Sequence, residues 1–200
     1  MIKVHRFSVG EMQSNCYLLE NNNQCIIMDP GDDADYITSK ILELGLKPEF
    51  IVSTHGHFDH NMASFEISQN FNIPFYISEK DTFLIKRMKA TAKHWLRRND
   101  ILLPKIDTIK SRLLKLGNLN IKVIEIPGHT PGSVAFYIEG SEIMFVGDLL
   151  FKGGGLGRVD FEYSNKEDFK NSLKNILSYP SDTLIYPGHG EEFRLSEFSV

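Results

Sequence analysis

The 200-residue sequence contains only two cysteines, Cys16 and Cys25, both near its start. That excludes a disulfide framework, and no second Cys or His stands at ligand spacing around either one, so neither reads as part of a metal site. Long hydrophobic runs are also missing, and none approaches the ~20 apolar residues that span a bilayer. Met1-Ile2-Lys3-Val4-His5-Arg6 lacks the apolar stretch of a secretory signal, so the expected location is the cytoplasm, with both thiols buried and free. Charge of one sign is not in excess either. Twenty-two Lys and Arg against 26 Asp and Glu leave a net charge of -4, which offers no general attraction for nucleic acid or an anionic membrane. Gly153-Gly154-Gly155 lacks the Gly-Lys-Ser/Thr of a phosphate-binding loop. No linker or low-complexity stretch divides the chain. A hydrophobic content of 42% is enough for a sizeable core, and a single domain over residues 1–200 is expected.

What is present begins as strands. Ile2–Val9, Cys16–Glu20 and Gln24–Asp29 are strand-like, with a hairpin turn at Asn21-Asn22-Asn23. A helix is predicted from Ala34 to Leu44, with Asp32 or Asp33 as cap, Gly45 as stop and Ile37, Ile41 and Leu44 on one face. Strand Phe50–Ser53 then leads into a His-rich loop. A helix over about Asn61 to Phe71 follows, and then a strand at Pro74–Ile77. Residues 78–115 break this rhythm and read as a basic helical insert. Ser78-x-x-Asp81 resembles a capping box, and Leu84, Met88, Trp95 and Leu96 stand near helical spacing. Over residues 80–115, eleven Lys and Arg face three Asp, a local charge of +8. This is either a solvated helix face or a cationic lip for an anionic substrate. From Leu119 the opening arrangement starts again. The hairpin Phe136–Glu139 and Ile143–Asp148 resembles Tyr17–Glu20 and Ile26–Asp29, and each second strand ends on an aspartate. Two related halves are expected from this internal repeat. Ser164-x-x-Glu167 is expected to cap a last helix bearing Phe169, Leu173, Ile176 and Leu177, before a final strand at Thr183–Tyr186.

Thr54-His55-Gly56-His57-Phe58-Asp59-His60 places four metal-binding side chains, His55, His57, Asp59 and His60, within six residues. Imidazole and carboxylate together suit zinc, iron or manganese. Three more candidates each stand just past a strand, flanked by Gly or Pro that permit a tight turn. They are His129 in Pro127-Gly128-His129-Thr130-Pro131-Gly132, Asp148 in Gly147-Asp148, and His189 in Pro187-Gly188-His189-Gly190. Seven ligands are too many for one ion and about right for two.

His55-x-His57-x-Asp59-His60, then His129, Asp148 and His189, in that order, resemble the motifs of the metallo-β-lactamase superfamily. The resemblance runs from the first hairpin to His189. It implies an α/β fold, the four-layer αβ/βα sandwich of two mixed sheets face to face with helices outside, and a site along one sandwich edge. Carried over, it implies one ion on His55, His57 and His129, a second on Asp59, His60 and His189, and Asp148 bridging them. Asp29 matches the family's early strand-end aspartate and is expected to orient a ligand rather than to bind metal.

Within the superfamily, the closest likeness is to glyoxalase II-type thioester hydrolases, through Thr54–His60, Gly128–Gly132, Gly147-Asp148-Leu149-Leu150-Phe151 and Pro187–Gly190. The resemblance implies a dinuclear hydrolase, with zinc expected first and iron or manganese as alternatives. A metal-bridging hydroxide would attack a thioester or ester carbonyl while Asp59 orients the nucleophile. In such enzymes a Gly followed by a cation binds the substrate's carboxylate. Gly157-Arg158 stands one residue further along, which makes Arg158 the candidate anchor for a small anionic substrate, with an Arg158–Asp160 ion pair as the alternative use. The C-terminal helical domain of glyoxalase II has no counterpart after His189, which directs the comparison to compact single-domain relatives. The rival from the same superfamily is an oxidoreductase similar to persulfide dioxygenases, with one iron at positions matching His55, His129 and Asp148. Lactonase, nuclease-type and non-catalytic members stand behind these two.

Overall fold

The computed structural model describes residues 2–199, and the chain folds as two compact units, one ending at Ile109 and the other beginning at Lys110. The first unit is a six-stranded sheet in chain order: β1 (Ile2–Val9), β2 (Ser14–Asn21), β3 (Gln24–Met28), β4 (Lys47–Val52), β5 (Phe75–Ile77) and β6 (Ile106–Thr108). β1 to β3 form an antiparallel meander, and β3 to β6 pair in parallel. Parallel neighbours need crossovers, and these are α1 (Ala34–Glu43) after β3 and α2 (Ser64–Phe71) after β4.

Period-two alternation places Cys16, Leu18, Cys25 and Ile27 on one sheet face. There they pack with Ile37 and Ile41 of α1 and Ile67 of α2, which recur at helical spacing. Both cysteines are free and fully buried; burial pushes the Cys25 thiol up to about 12 and the Cys16 thiol well above its ordinary value. α1 stops where expected, at a left-handed Gly45, but its start is made differently. Asp33 holds a left-handed φ of 64° with no side-chain cap bond, and accepts the Gly10 N–H instead.

The basic segment is not one helical piece. A short 3-10 turn at Glu79–Asp81 leads into α3 (Thr82–Leu96), irregular chain follows, and β6 joins the first sheet. Leu84, Ile85, Met88 and Ala92 of α3 are buried. Met88, Ala92 and Ile101 pack with Phe58 and Met62 and, at the edge of the cluster, Leu96. Trp95 is not part of this face. It is 61% exposed, because the core has run out by the last turn of α3. Lys86, Lys89, Lys93 and Arg97 are exposed, as a solvated face requires. Arg98 differs: one of its nitrogens meets both carboxylate oxygens of Asp32 at 2.7 Å while the others bind Asp100, so it is not available to a substrate.

The second unit has its own six-stranded sheet, in the order β14-β13-β10-β9-β8-β7. Its strands are β7 (Leu113–Leu116), β8 (Leu119–Glu125), β9 (Val134–Ile138), β10 (Ile143–Gly147), β13 (Leu184–Pro187) and β14 (Phe193–Arg194). A small hairpin, β11 (Leu150–Phe151) with β12 (Gly155–Leu156), lies between β10 and α4 (Lys166–Ile176) in the chain. β8 to β10 again form an antiparallel meander, and β13, reached through α4, pairs in parallel with β10. The internal repeat is therefore real at the level of topology. Phe169 and Ile176 of α4 pack on Met144, Val146 and Ile185, whereas Leu177 is exposed. Among the described residues no helix is long and apolar enough to cross a membrane.

Candidate metal centre

In each unit candidate side chains leave the sheet where parallel strands end, the edge at which α/β sheets bind ligands, while His129 follows β8, whose pairings are antiparallel. Asp29 follows β3 and His55 follows β4; in the second unit Asp148 follows β10 and His189 follows β13.

In the first unit Asp29 is a hub. It is buried with a left-handed φ of 48°, and its N–H donates to Val52 O at 3.0 Å. Its carboxylate accepts the Thr54 N–H at 2.7 Å and the Thr54 hydroxyl at 2.6 Å, and one oxygen lies 3.2 Å from His60 Nδ1. These contacts decide two tautomers. A carboxylate accepts, so His60 Nδ1 carries the proton and the lone pair of the ring is on Nε2. The Thr54 proton is committed to Asp29, so at 3.0 Å the hydroxyl oxygen accepts from His55 Nδ1–H, and the lone pair of that ring is on Nε2 as well. That Nε2 lies 3.1 Å from His57 Nδ1. Two nitrogens held 2.0–2.1 Å from one tetrahedral zinc stand about 3.4 Å apart, so this close approach suits a shared ion. His60 Nε2 lies 3.5 Å from an Asp59 carboxylate oxygen. The donor set Asp29, His55 and His60 also brings one ligand atom from each within 4.8 Å of the others.

The loop backbone is braced by groups that local reading overlooks. Asn61 accepts from the Ser53 hydroxyl and donates to His55 O at 3.0 Å and His57 O at 2.7 Å. Ser14 donates to Asp59 O at 2.7 Å. Asp81, expected in a capping box, instead accepts the Gly56 N–H at 2.8 Å.

In the second unit His129 Nδ1–H donates to the Arg158 carbonyl at 2.7 Å, so the lone pair of its ring is likewise on Nε2. His129 Nε2 and His189 Nε2 each lie 3.7 Å from one oxygen, Asp148 Oδ2. That is beyond hydrogen-bond reach, and nearer the spacing of groups that converge on a common ion. Two glycines permit the arrangement. A Cβ on Gly128 would stand 2.3 Å from the Phe169 backbone, and one on Gly157 only 1.8 Å from Asp148 O. Ser164, expected as the cap of α4, donates to His129 O at 2.8 Å; Asn165 caps the helix, accepting the Glu167 and Asp168 N–H groups. Arg158 pairs with Asp160 through two 2.9 Å contacts and lies over the Phe161 ring at 4.8 Å, with most of its side chain in solvent. Its carbonyl, rather than its guanidinium, is what meets a candidate ligand.

The first unit thus holds Asp29, His55, His57, Asp59 and His60, and the second holds His129, Asp148, His189 and Arg158. Both donor sets include the nitrogen and oxygen ligands that divalent transition metals take, and His55, His60 and His129 carry their lone pair on Nε2.

Residues 9–189 match the family described as the Metallo-beta-lactamase superfamily. The Probable metallo-hydrolase YqgX of Bacillus subtilis is 34% identical over 194 residues, 96% of this chain and 92% of that protein. The Hydroxyacylglutathione hydrolase GloC of Haemophilus influenzae is 34% identical over 187 residues, 91% of this chain and 88% of its own. Among solved structures, the BLEG-1 B3 metallo-beta-lactamase superposes with a TM-score of 0.89 at 28% identity, covering 98% of this chain and 95% of that one. TTHA1623, solved in a di-iron-bound form, gives 0.87 at 32% identity, covering 96% and 95%. The fold expected from the sequence is the fold these likenesses carry.

Proposed function

This chain belongs to the metallo-beta-lactamase superfamily of metallohydrolases, and from that premise we propose that it hydrolyses a thioester or ester with two divalent metal ions. The observation that carries the proposal is the tautomer set. The Nδ1 atoms of His55, His60 and His129 are each tied to an oxygen, which puts the lone pair of each ring on Nε2, the atom that would meet a metal. In this reading His55, His57 and His129 hold one ion, Asp59, His60 and His189 the other, and Asp148 serves both. The 3.7 Å approach of both His129 and His189 to one Asp148 oxygen supports that last role. Bound there, the ions would supply Lewis acidity and lower the pKa of water to about 7.

The chain's own residues orient the reaction. Asp59 aligns the attacking water, and Asp29, through Thr54 and His60, keeps two imidazoles in the ligand tautomer. A thiolate leaving group, with a parent pKa of about 8.5, needs no general acid. Arg158 is the proposed anchor for a substrate carboxylate, which would exchange with Asp160 on the exposed guanidinium. Zinc is the first candidate metal, and the di-iron form of TTHA1623 keeps iron open. The free thiols Cys16 and Cys25 fit a reducing cytoplasm.

The test joins metal analysis of unsupplemented protein to a thioester panel and an oxygen-uptake assay on glutathione persulfide. Close to two metal equivalents, thioester turnover and no oxygen uptake are expected. A single iron with oxygen uptake and no hydrolysis would overturn the reading in favour of persulfide oxidation.

A further inference from the structure

The peptide unit between His55 and Gly56 lies between two of the proposed ligands, and it is held at both poles. Its carbonyl accepts Asn61 Nδ2 at 3.0 Å, and its N–H donates to Asp81 Oδ2 at 2.8 Å. Asn61 secures the carbonyl two residues on, of His57, as well. Asp81 comes from the start of α3, 25 residues along the chain. It occupies the N-cap position of that helix, where a carboxylate ordinarily accepts the helix's own N–H groups, yet it makes no such bond. The cap has been diverted to the ligand loop. The contact is close: Asp81 is fully buried, and a Cβ on Gly56 would lie 2.8 Å from both Asp81 O and Leu84 Cβ.

Building on the metal-dependent reading above, we propose that Asp81 is a positioning residue that fixes the His55–Gly56 peptide plane and so aims the His55–His57 pair. A peptide gripped at one pole can still rock about that contact; one gripped at both is held in one orientation, which narrows ψ of His55 and φ of Gly56. His55 has a ring tie of its own to Thr54, so the effect falls chiefly on His57, whose ring meets His55 from the far side of Gly56. The basic segment thereby gains a role apart from its charge, because the residue at the N-cap position of α3 holds the metal loop in shape.

The experiment compares wild type with Asp81→Asn, Asp81→Ala and Gly56→Ala. Asp81→Asn keeps an oxygen acceptor for the Gly56 N–H without the charge; Asp81→Ala removes both. Two readouts are taken on folded protein: hydrogen exchange of the Gly56 amide in metal-free protein, and zinc affinity by chelator competition, with cobalt absorption as a check on ligand geometry. Asp81→Ala is expected to speed Gly56 exchange and to weaken zinc binding about 10- to 100-fold, the usual effect of removing a group that orients a ligand. Gly56→Ala should weaken binding similarly, and Asp81→Asn should stay near wild type in both readouts. Wild-type affinity in Asp81→Ala overturns the inference. So does an Asp81→Asn that falls as far as Asp81→Ala with Gly56 protection intact, since the charge alone would then be responsible. Should Asp81→Ala fail to fold, wild-type affinity in Gly56→Ala overturns it equally. A wild type that binds no metal would overturn the functional reading instead, while the exchange measurement still tests the brace.

Discussion

In the first half of the chain, five candidate groups crowd into residues 29–60, and most are aligned by another polar side chain: Thr54, Asn61, Ser14 or Asp81. In the second half, three candidates come from three separate strand ends, and backbone does much of the aligning. His129 is tied to the Arg158 carbonyl, and glycines at 128 and 157 let main chain approach to within the space of a Cβ. The topology of the halves is the same meander followed by a parallel strand, so the difference lies in how each loop is stiffened. A dense loop presents more orphan amides and carbonyls than its own turns can satisfy, and side chains must cover them. Isolated turns can be shaped by close packing alone.

The comparison breaks most sharply on the ligands themselves. His57→Ala in the first half and Asp148→Ala in the second should each reduce turnover to background and lower metal content. Wild-type-like turnover in either, with metal loading verified, would sink the two-metal reading and leave the halves unequal. Next in size is Gly157→Ala. Its added Cβ has 1.8 Å to Asp148 O, so the backbone must move, at a cost of about 1–3 kcal/mol or more seen as a lower thermal midpoint. A neutral Gly157→Ala would remove the case for backbone shaping in the second half. The smallest test sets two arginines side by side. Arg98, largely covered and paired with the nearly buried Asp32, should lose about 1–2 kcal/mol of stability on change to Ala. Arg158→Ala should leave the melting curve unmoved and raise KM for anionic substrates. Equal destabilisation by both would erase the distinction.

Much of this can be read beforehand from local pattern. The opening strands, α1, the repeated hairpins and the loop Thr54–His60 announce themselves through periodicity or ligand density. The two misread caps share one physical cause. Ser78-x-x-Asp81 and Ser164-x-x-Glu167 both look like helix caps, because a short polar side chain near a helix start has the same local signature whatever it bonds. Asp81 and Ser164 turn out to bind the backbone of His-bearing loops, and their partners lie 25 and 35 residues away. Nothing local distinguishes the two fates. Asn61 is hidden likewise, as the expected first residue of a helix that in fact starts at Ser64. Spacing assigns Trp95 and Leu177 to buried faces, because it continues past the point where the core ends. The short strands β6, β7, β11, β12 and β14 have too few residues to show a period.

The exposure of Trp95 has an optical consequence. It is the chain's only tryptophan, so the intrinsic emission of the whole protein originates at the last turn of α3. With its indole already in water, the native spectrum should lie close to that of the denatured chain, and a fluorescence melt would pass over the unfolding that circular dichroism records. The same spectrum is dark to most of the molecule but answers to one place: a blue shift on adding a ligand would mean that something has settled on the end of that helix.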